Sequence, residues 1–281
     1  MRFGFKTAPQ NTTWADMRAV WEAADRIELF ESGWTFDHFY PIFSDSRGPC
    51  LEGWVTTTAL AQATRRLRIG VLVTGMPYRH PAVLANMAAT LDVVSDGRLE
   101  LGIGAGWNVE EATAYGIDLH ASLTDRFDAF DEGCAAIVSL LTKETTTLGG
   151  RFVQLQEARC EPKPVQHPHP PICIGGTGER RTLRSVARFA QHWNFPGGDV
   201  ATFRGKLDVL RGHCADLGRD PAEILTSTHL RLPESGDTGP LVEQAERFGD
   251  AGLDLGIVYL PPPHSASVLE PVAAALQHLR G

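Results

Sequence analysis

Apolar residues recur at the spacing of one helical face in five stretches of the chain. These are Met17, Val20, Trp21 and Ala24; Val83, Leu84, Met87, Leu91 and Val94; Phe127, Phe130, Cys134, Ile137 and Leu141; Leu183, Val186, Ala187 and Ala190; and Leu207, Leu210, Cys214 and Leu217. A stripe that repeats every three or four positions turns one side of a helix toward a core. Thr12 or Thr13, Thr124 and Thr182 stand near three of the starts, where a hydroxyl accepts from free helix N–H groups. Short runs of strand character lie near 2–7, 33–36, 68–74, 99–103, 171–175, 192–195, 225–231 and 254–260. Eight strands alternating with helices predict parallel β/α units and a closed (β/α)8 TIM barrel. An open doubly wound sheet has the same alternation. Two loops stand out by length, at about 38–56 and 142–170, and loops of that length are uncommon unless functional.

Composition narrows the picture. An apolar content of 43% is ample for the core of a single domain over residues 1–281. The net charge of −8 argues against a nucleic acid or an anionic membrane as partner, since both favour basic surfaces. No apolar run approaches the roughly 20 residues that span a bilayer. The first six residues, Met1-Arg2-Phe3-Gly4-Phe5-Lys6, lack a signal-peptide core and read as a strand. The five cysteines are odd in number and scattered, the usage of a reduced, cytoplasmic protein.

In a β/α barrel, chemistry gathers at the carboxyl ends of the strands, and this chain places a short set of residues there. Asp37-His38 combines an acceptor with a group that titrates near neutrality, suited to moving a proton. Phe36, Phe39 and Tyr40 flank it as an apolar wall. Thr74 and Gly75 follow the third strand, with Tyr78, Arg79 and His80 beyond. The run from Gly97 to Asn108 carries a strand into a glycine-rich turn and then presents Trp107 and Asn108. Glycine within a strand marks a close approach by another backbone or by a ligand. Gly175, Gly176, Gly178, Glu179 and Arg180 form a glycine loop that feeds a helix, where N–H groups favour an anion such as phosphate. Trp193 and Asn194 end the sixth strand. Three features read as structural: His167 and His169 lie in an extended proline-rich segment, Glu110 and Glu111 sit where a helix dipole stabilises acids, and Lys163 is expected to be exposed.

Taken in order, these residues resemble the bacterial luciferase-like monooxygenase superfamily, and within it the actinobacterial class of coenzyme F420-dependent oxidoreductases. The matching segments are Phe36 to Phe39, Gly70 to Gly75, Tyr78 to Pro81, Gly97 to Asn108, Tyr115-Gly116, Cys160 to Pro164, Pro170 to Gly176 and Gly218 to Pro221. The resemblance implies a (β/α)8 barrel with a deazaflavin or flavin at the carboxyl ends of its strands. It also implies a bulge with a non-prolyl cis peptide in the third strand, at Leu72-Val73. By the same resemblance Asp37 contacts the coenzyme or orients His38, and His38 faces the reacting centre. Leu72, Val73 and Thr74 back the ring, Trp107 and Asn108 contact the ring or its tail, and Gly175, Gly176, Gly178 and Glu179 or Arg180 take the phosphate region. The expected function is hydride transfer between coenzyme F420 and a small organic substrate. The alternative is an FMN-dependent monooxygenase that uses reduced flavin and oxygen. Sugar-phosphate dehydrogenases of the superfamily carry a carboxylate where this chain has Trp107, so a sugar phosphate is not the expected substrate. A homodimer is compatible with the resemblance, and no metal is expected.

Overall fold

The strand runs and helical stripes resolve into alternating elements in the computed structural model, which describes residues 1–280. In chain order the first half holds β1 (Arg2–Lys6), α1 (Trp14–Ala24), β2 (Phe30–Thr35), α2 (Gly53–Ala63), β3 (Arg68–Val71), β4 (Thr74–Gly75), α3 (Pro81–Val94) and β5 (Leu99–Gly104). Then come α4 (Val109–Ala114), α5 (Leu123–Thr142), β6 (Thr146–Gly149), β7 (Gln154–Ala158), β8 (Ile172–Gly175) and α6 (Thr182–Phe189). The chain closes with β9 (His192–Phe195), α7 (Val200–Asp216), β10 (Leu225–Arg231), α8 (Gly239–Gly249), β11 (Leu255–Tyr259) and α9 (Leu269–Leu276).

Nine strands pair in parallel in the order β3-β2-β1-β11-β10-β9-β8-β5-β4, and β3 also pairs with β5. That last pairing closes the sheet and removes the doubly wound alternative. β4 resumes the path of β3 after Leu72 and Val73, so together they fill one of eight positions around a TIM barrel. The Leu72–Val73 peptide is cis. β6 and β7 form an antiparallel hairpin outside the barrel, within the long 142–170 connection.

Strand alternation decides what faces in and what faces out. Phe3 and Phe5 point toward α1, where Phe5 packs edge-on against Trp21 at 5.2 Å. Burying one such phenyl group completely stabilises by about 1.5–3 kcal/mol. Inside the barrel Trp34, Leu72, Cys173, Leu255 and Ile257 form a separate apolar cluster. Nearer the amino ends Arg68, Glu100 and His192 fill the lumen with a hydrogen-bonded network.

Local signals account for most helix starts. Thr13 caps α1, its hydroxyl accepting from the Asp16 amide at 3.1 Å. Two expected caps are corrected. Ser122, not Thr124, caps α5, and Thr182 is the first residue of α6, whose cap position is Arg181 without a side-chain bond. α2 is not among the five expected helices, and its first turn falls within the expected 38–56 loop. There Thr57 and Thr58 hydroxyls bond back to the carbonyls of Gly53 and Trp54 at 2.7 and 2.8 Å, while Glu52 caps the start. Lys163 is also corrected, since its ammonium donates to the carbonyls of Leu140 and Cys160 and pins the proline-rich strap to α5. The cysteines are unpaired. Among the described residues no helix is long and apolar enough to cross a membrane, and no cluster of three metal-ligating side chains exists.

Candidate active site

Beyond Thr35 the chain crosses the carboxyl end of the barrel as Phe36-Asp37-His38-Phe39. Asp37 is buried, and Arg79 donates to both of its carboxylate oxygens and to Glu52. Burial pushes the Asp37 carboxyl up to about 6, and the Arg79 guanidinium opposes that shift, keeping the group charged at neutral pH. Both oxygens face Arg79, so Asp37 does not orient His38. This corrects one of its two expected roles.

His38 is oriented by Glu111. Its Nδ1 lies 2.7 Å from Glu111 Oε2. The same carboxylate accepts from the Phe39 amide at 2.7 Å and from the Tyr78 hydroxyl at 2.6 Å. Glu111 is fully buried. Burial works against its charge, but hydrogen bonds from His38, Tyr78 and Phe39 outweigh that and hold the carboxyl below its ordinary value. A charged acceptor at Nδ1 keeps the proton on that nitrogen and leaves Nε2 as the exchangeable site. No group among the described residues is hydrogen-bonded to Nε2, and the side chain is 11% exposed. The imidazole packs edge-on between Phe36 at 5.1 Å and Trp107 at 5.5 Å. Trp107 is half exposed and stacks in parallel on Phe43 at 5.7 Å, forming an aromatic wall at the mouth.

Glu111 is the residue that the sequence reading undervalued. The dipole argument holds for exposed Glu110, but Glu111 turns inward. The signal was Asn108-x-x-Glu111: Asn108 caps α4 by accepting from the Glu111 amide at 3.2 Å. An acid at that third position reaches back toward the helix start, and here it meets His38.

The glycines of β5 answer to the bulge. A Cβ at Gly102 would come within 2.0 Å of the Val71 carbonyl oxygen, and one at Gly104 within 2.9 Å of a Val73 methyl. Gly175, at the end of β8, faces the other Val73 methyl at 3.2 Å. It is therefore another part of the chain, first of all, that approaches these glycines. Thr74 accepts from the Trp54 indole at 2.8 Å, which fixes the strand just past the bulge. Asp37, His38, Leu72, Val73, Thr74, Trp107 and Asn108 thus gather at one mouth, with Gly175 joined to them through Val73.

The rest of the glycine loop runs outward. Gly176 adopts φ +130° and its carbonyl accepts from the Trp193 indole at 2.8 Å. Gly178 lies against Thr182. Glu179 pairs with Lys206 at 2.7 Å on the outer surface and Arg180 is exposed, so neither reaches the His38 cluster. Arg181 is held by Asp128. Among the described residues the amides of positions 177–180 make no hydrogen bond.

With this geometry the chain matches the family model for luciferase-like monooxygenases over residues 1–233. The chain belongs to that family. An uncharacterised protein of Mycobacterium tuberculosis is 29% identical over 230 residues, 80% of this chain and 76% of the relative. A phthiodiolone/phenolphthiodiolone dimycocerosates ketoreductase of a Mycobacterium species is 31% identical over 243 residues, covering 79% of this chain and 61% of the ketoreductase. Among solved structures, an F420-dependent secondary alcohol dehydrogenase in complex with an F420-acetone adduct superimposes with a TM-score of 0.87 at 18% identity, over 100% of this chain and 99% of the other. A monooxygenase from Streptomyces bottropensis gives 0.78 at 22% identity over 100% of both chains. At such identities the likeness speaks for the fold.

Proposed function

We propose that this protein is a coenzyme F420-dependent oxidoreductase that moves a hydride between the deazaflavin C5 and a carbon of a small organic substrate. The observation that carries the reading is His38, held through Nδ1 by buried Glu111 and free at Nε2 between Phe36 and Trp107. The residues fit such a coenzyme. Gly104 and Gly175 put no side chain beside Val73, and Leu72, Val73 and Thr74 offer backbone on which a planar ring can rest. Unpaired amides in front of α6, with Gly175, Gly176 and Gly178 around them, suit a phosphate. Arg180 is exposed close by for an acidic tail, whereas Glu179, already paired with Lys206, is a poorer candidate.

When bound, the deazaflavin supplies a carbon that gives or takes a hydride and reacts poorly with oxygen. The protein's share is to place and protonate. Nε2 of His38 gives a proton to the substrate oxygen, or takes one from it, as the hydride moves. Glu111 stabilises the imidazolium that forms. Phe36 and Trp107 hold the imidazole between their rings while that exchange takes place. Asp37 keeps Arg79 and, through Glu52, the start of α2 in place.

A second reading rests on the whole-length likeness to a monooxygenase: the same mouth would hold reduced FMN, with His38 as base. Calorimetric titration of the purified apoprotein with coenzyme F420 and with FMN separates the two. The expected result is coenzyme F420 binding at least about tenfold tighter, a difference of about 1.4 kcal/mol. Tighter FMN binding, with oxygen consumed when a flavin reductase is added, would replace the first reading with the second.

A further inference from the structure

Lys6, Tyr259 and Arg231 end three neighbouring strands, and the register sets them at one height. Tyr259 pairs with Lys6 across β1 and with Arg231 across β10. Both cations lie over the one phenol ring, the Lys6 ammonium 5.3 Å and the Arg231 guanidinium carbon 5.4 Å from its centre. Two residues earlier on β10, His229 packs edge-on against the same ring at 5.7 Å. Its Nε2 is buried and has no hydrogen-bond partner among the described residues.

Charge makes the cluster unusual. The chain carries a net −8, yet neither Lys6 nor Arg231 meets a carboxylate among the described residues. Lys6 is 5% exposed, and its ammonium donates to the Leu72 carbonyl at 2.8 Å. Buried cations are ordinarily paired, because an isolated charge is costly away from water. Burial, with the Arg231 charge close by, brings the Lys6 amine down to about 7. Burial and both cations hold His229 well below its ordinary value, so its ring is neutral. A neutral imidazole carries one N–H donor and one acceptor nitrogen, and the buried Nε2 uses neither capacity within the protein.

We propose that Lys6, Arg231, Tyr259 and His229 form the seat for an organic anion, a carboxylate with a neighbouring hydroxyl, and that this is the polar end of the substrate. The inference rests on the hydride-transfer reading of the mouth, since the Lys6 bond to Leu72 puts the seat beside the proposed ring position. The two cations take the carboxylate and the unpartnered His229 Nε2 takes the hydroxyl, which can donate or accept. An anion there also supplies the counter-charge that Lys6 lacks, so binding draws a proton onto its amine.

The chain has four lysines, Lys6, Lys143, Lys163 and Lys206, so their 13Cε signals are few enough to follow one by one. Apoprotein labelled at these carbons is titrated with glycolate, with no coenzyme present. Glycolate should shift the Lys6 signal and raise its titration midpoint by about one unit, leaving the other three in place. Arg231→Gln, at an exposed position, should weaken glycolate about tenfold and leave coenzyme F420 affinity within about twofold. A Lys6 signal that ignores glycolate at saturating concentration overturns the proposal. So does an Arg231→Gln protein that loses coenzyme affinity instead, which would give the cations to the coenzyme ring. Because the glycolate arm uses apoprotein, it stands even if FMN proves to be the tighter coenzyme.

Discussion

Two histidine–glutamate pairs serve the barrel, and they differ in one respect. In the lumen, His192 bonds through Nδ1 to Glu100 at 3.0 Å and through Nε2 to Ser227 at 2.7 Å. Arg68 adds a bond to Glu100 at 2.7 Å, so the pair is saturated. At the mouth, His38 bonds Glu111 through Nδ1 and leaves Nε2 unengaged between two aromatic rings. A histidine with both nitrogens engaged by neighbouring side chains is part of the scaffold, because neither nitrogen is open to a substrate. One with a fixed nitrogen and a free one can pass a proton without disturbing its support.

The comparison breaks most severely at Glu100. Burial opposes its charge, but His192 and Arg68 overcome that and bring the carboxyl down from 4.5 to about 2. Glu100→Gln leaves Arg68 and His192 without their shared acceptor charge and should cost about 3–5 kcal/mol, read by denaturant unfolding at pH 7. The pH dependence has a definite sign. Between 4.5 and about 2 the unfolded chain binds more protons at this position than the folded one. The wild type should therefore lose stability as pH falls through that window, and the variant should lose that part of the slope. Equal slopes would show that Glu100 is not the group that titrates.

Glu111→Gln should have a smaller effect on stability, about 1–2 kcal/mol, because an amide oxygen still accepts from Tyr78 or Phe39. The Glu111 carboxyl lies below its ordinary value of 4.5, so its stabilisation is present above that pH and declines as pH falls below it. The same unfolding series on the variant should lack that decline. Turnover should nevertheless fall well beyond what the stability change explains, which would sharpen the contrast with Glu100, a residue distant from the mouth.

Much of this was legible in the residues. The eight strand positions showed as short runs bounded by glycine and polar residues, and Asp37-His38 showed as a reactive pair straight after a strand. What stayed hidden depended on contacts between distant parts of the chain. Glu111 lies 73 residues from His38, and no spacing rule links an acid near a helix start to a histidine that far back. Lys6 read only as the end of a strand, because its interest comes from register with Tyr259 and Arg231. α2 was hidden by its threonines, whose helical fit depends on back-bonds that local propensity does not register. Gly102 was flagged as a close-approach position, but whether a ligand or the chain itself approached was decided by the Val71 carbonyl.

The central claim is that His38 performs proton transfer and does not hold the barrel together. It is tested most directly by His38→Ala, using whichever substrate from an alcohol, ketone and hydroxy-acid panel the wild type turns over with coenzyme F420. Turnover, followed by the deazaflavin absorbance, should fall roughly 10²–10⁴-fold. In the same protein, calorimetric coenzyme affinity should stay within about threefold and the unfolding midpoint should barely move. Near wild-type turnover in His38→Ala would contradict the account and return His38 to the class of His192.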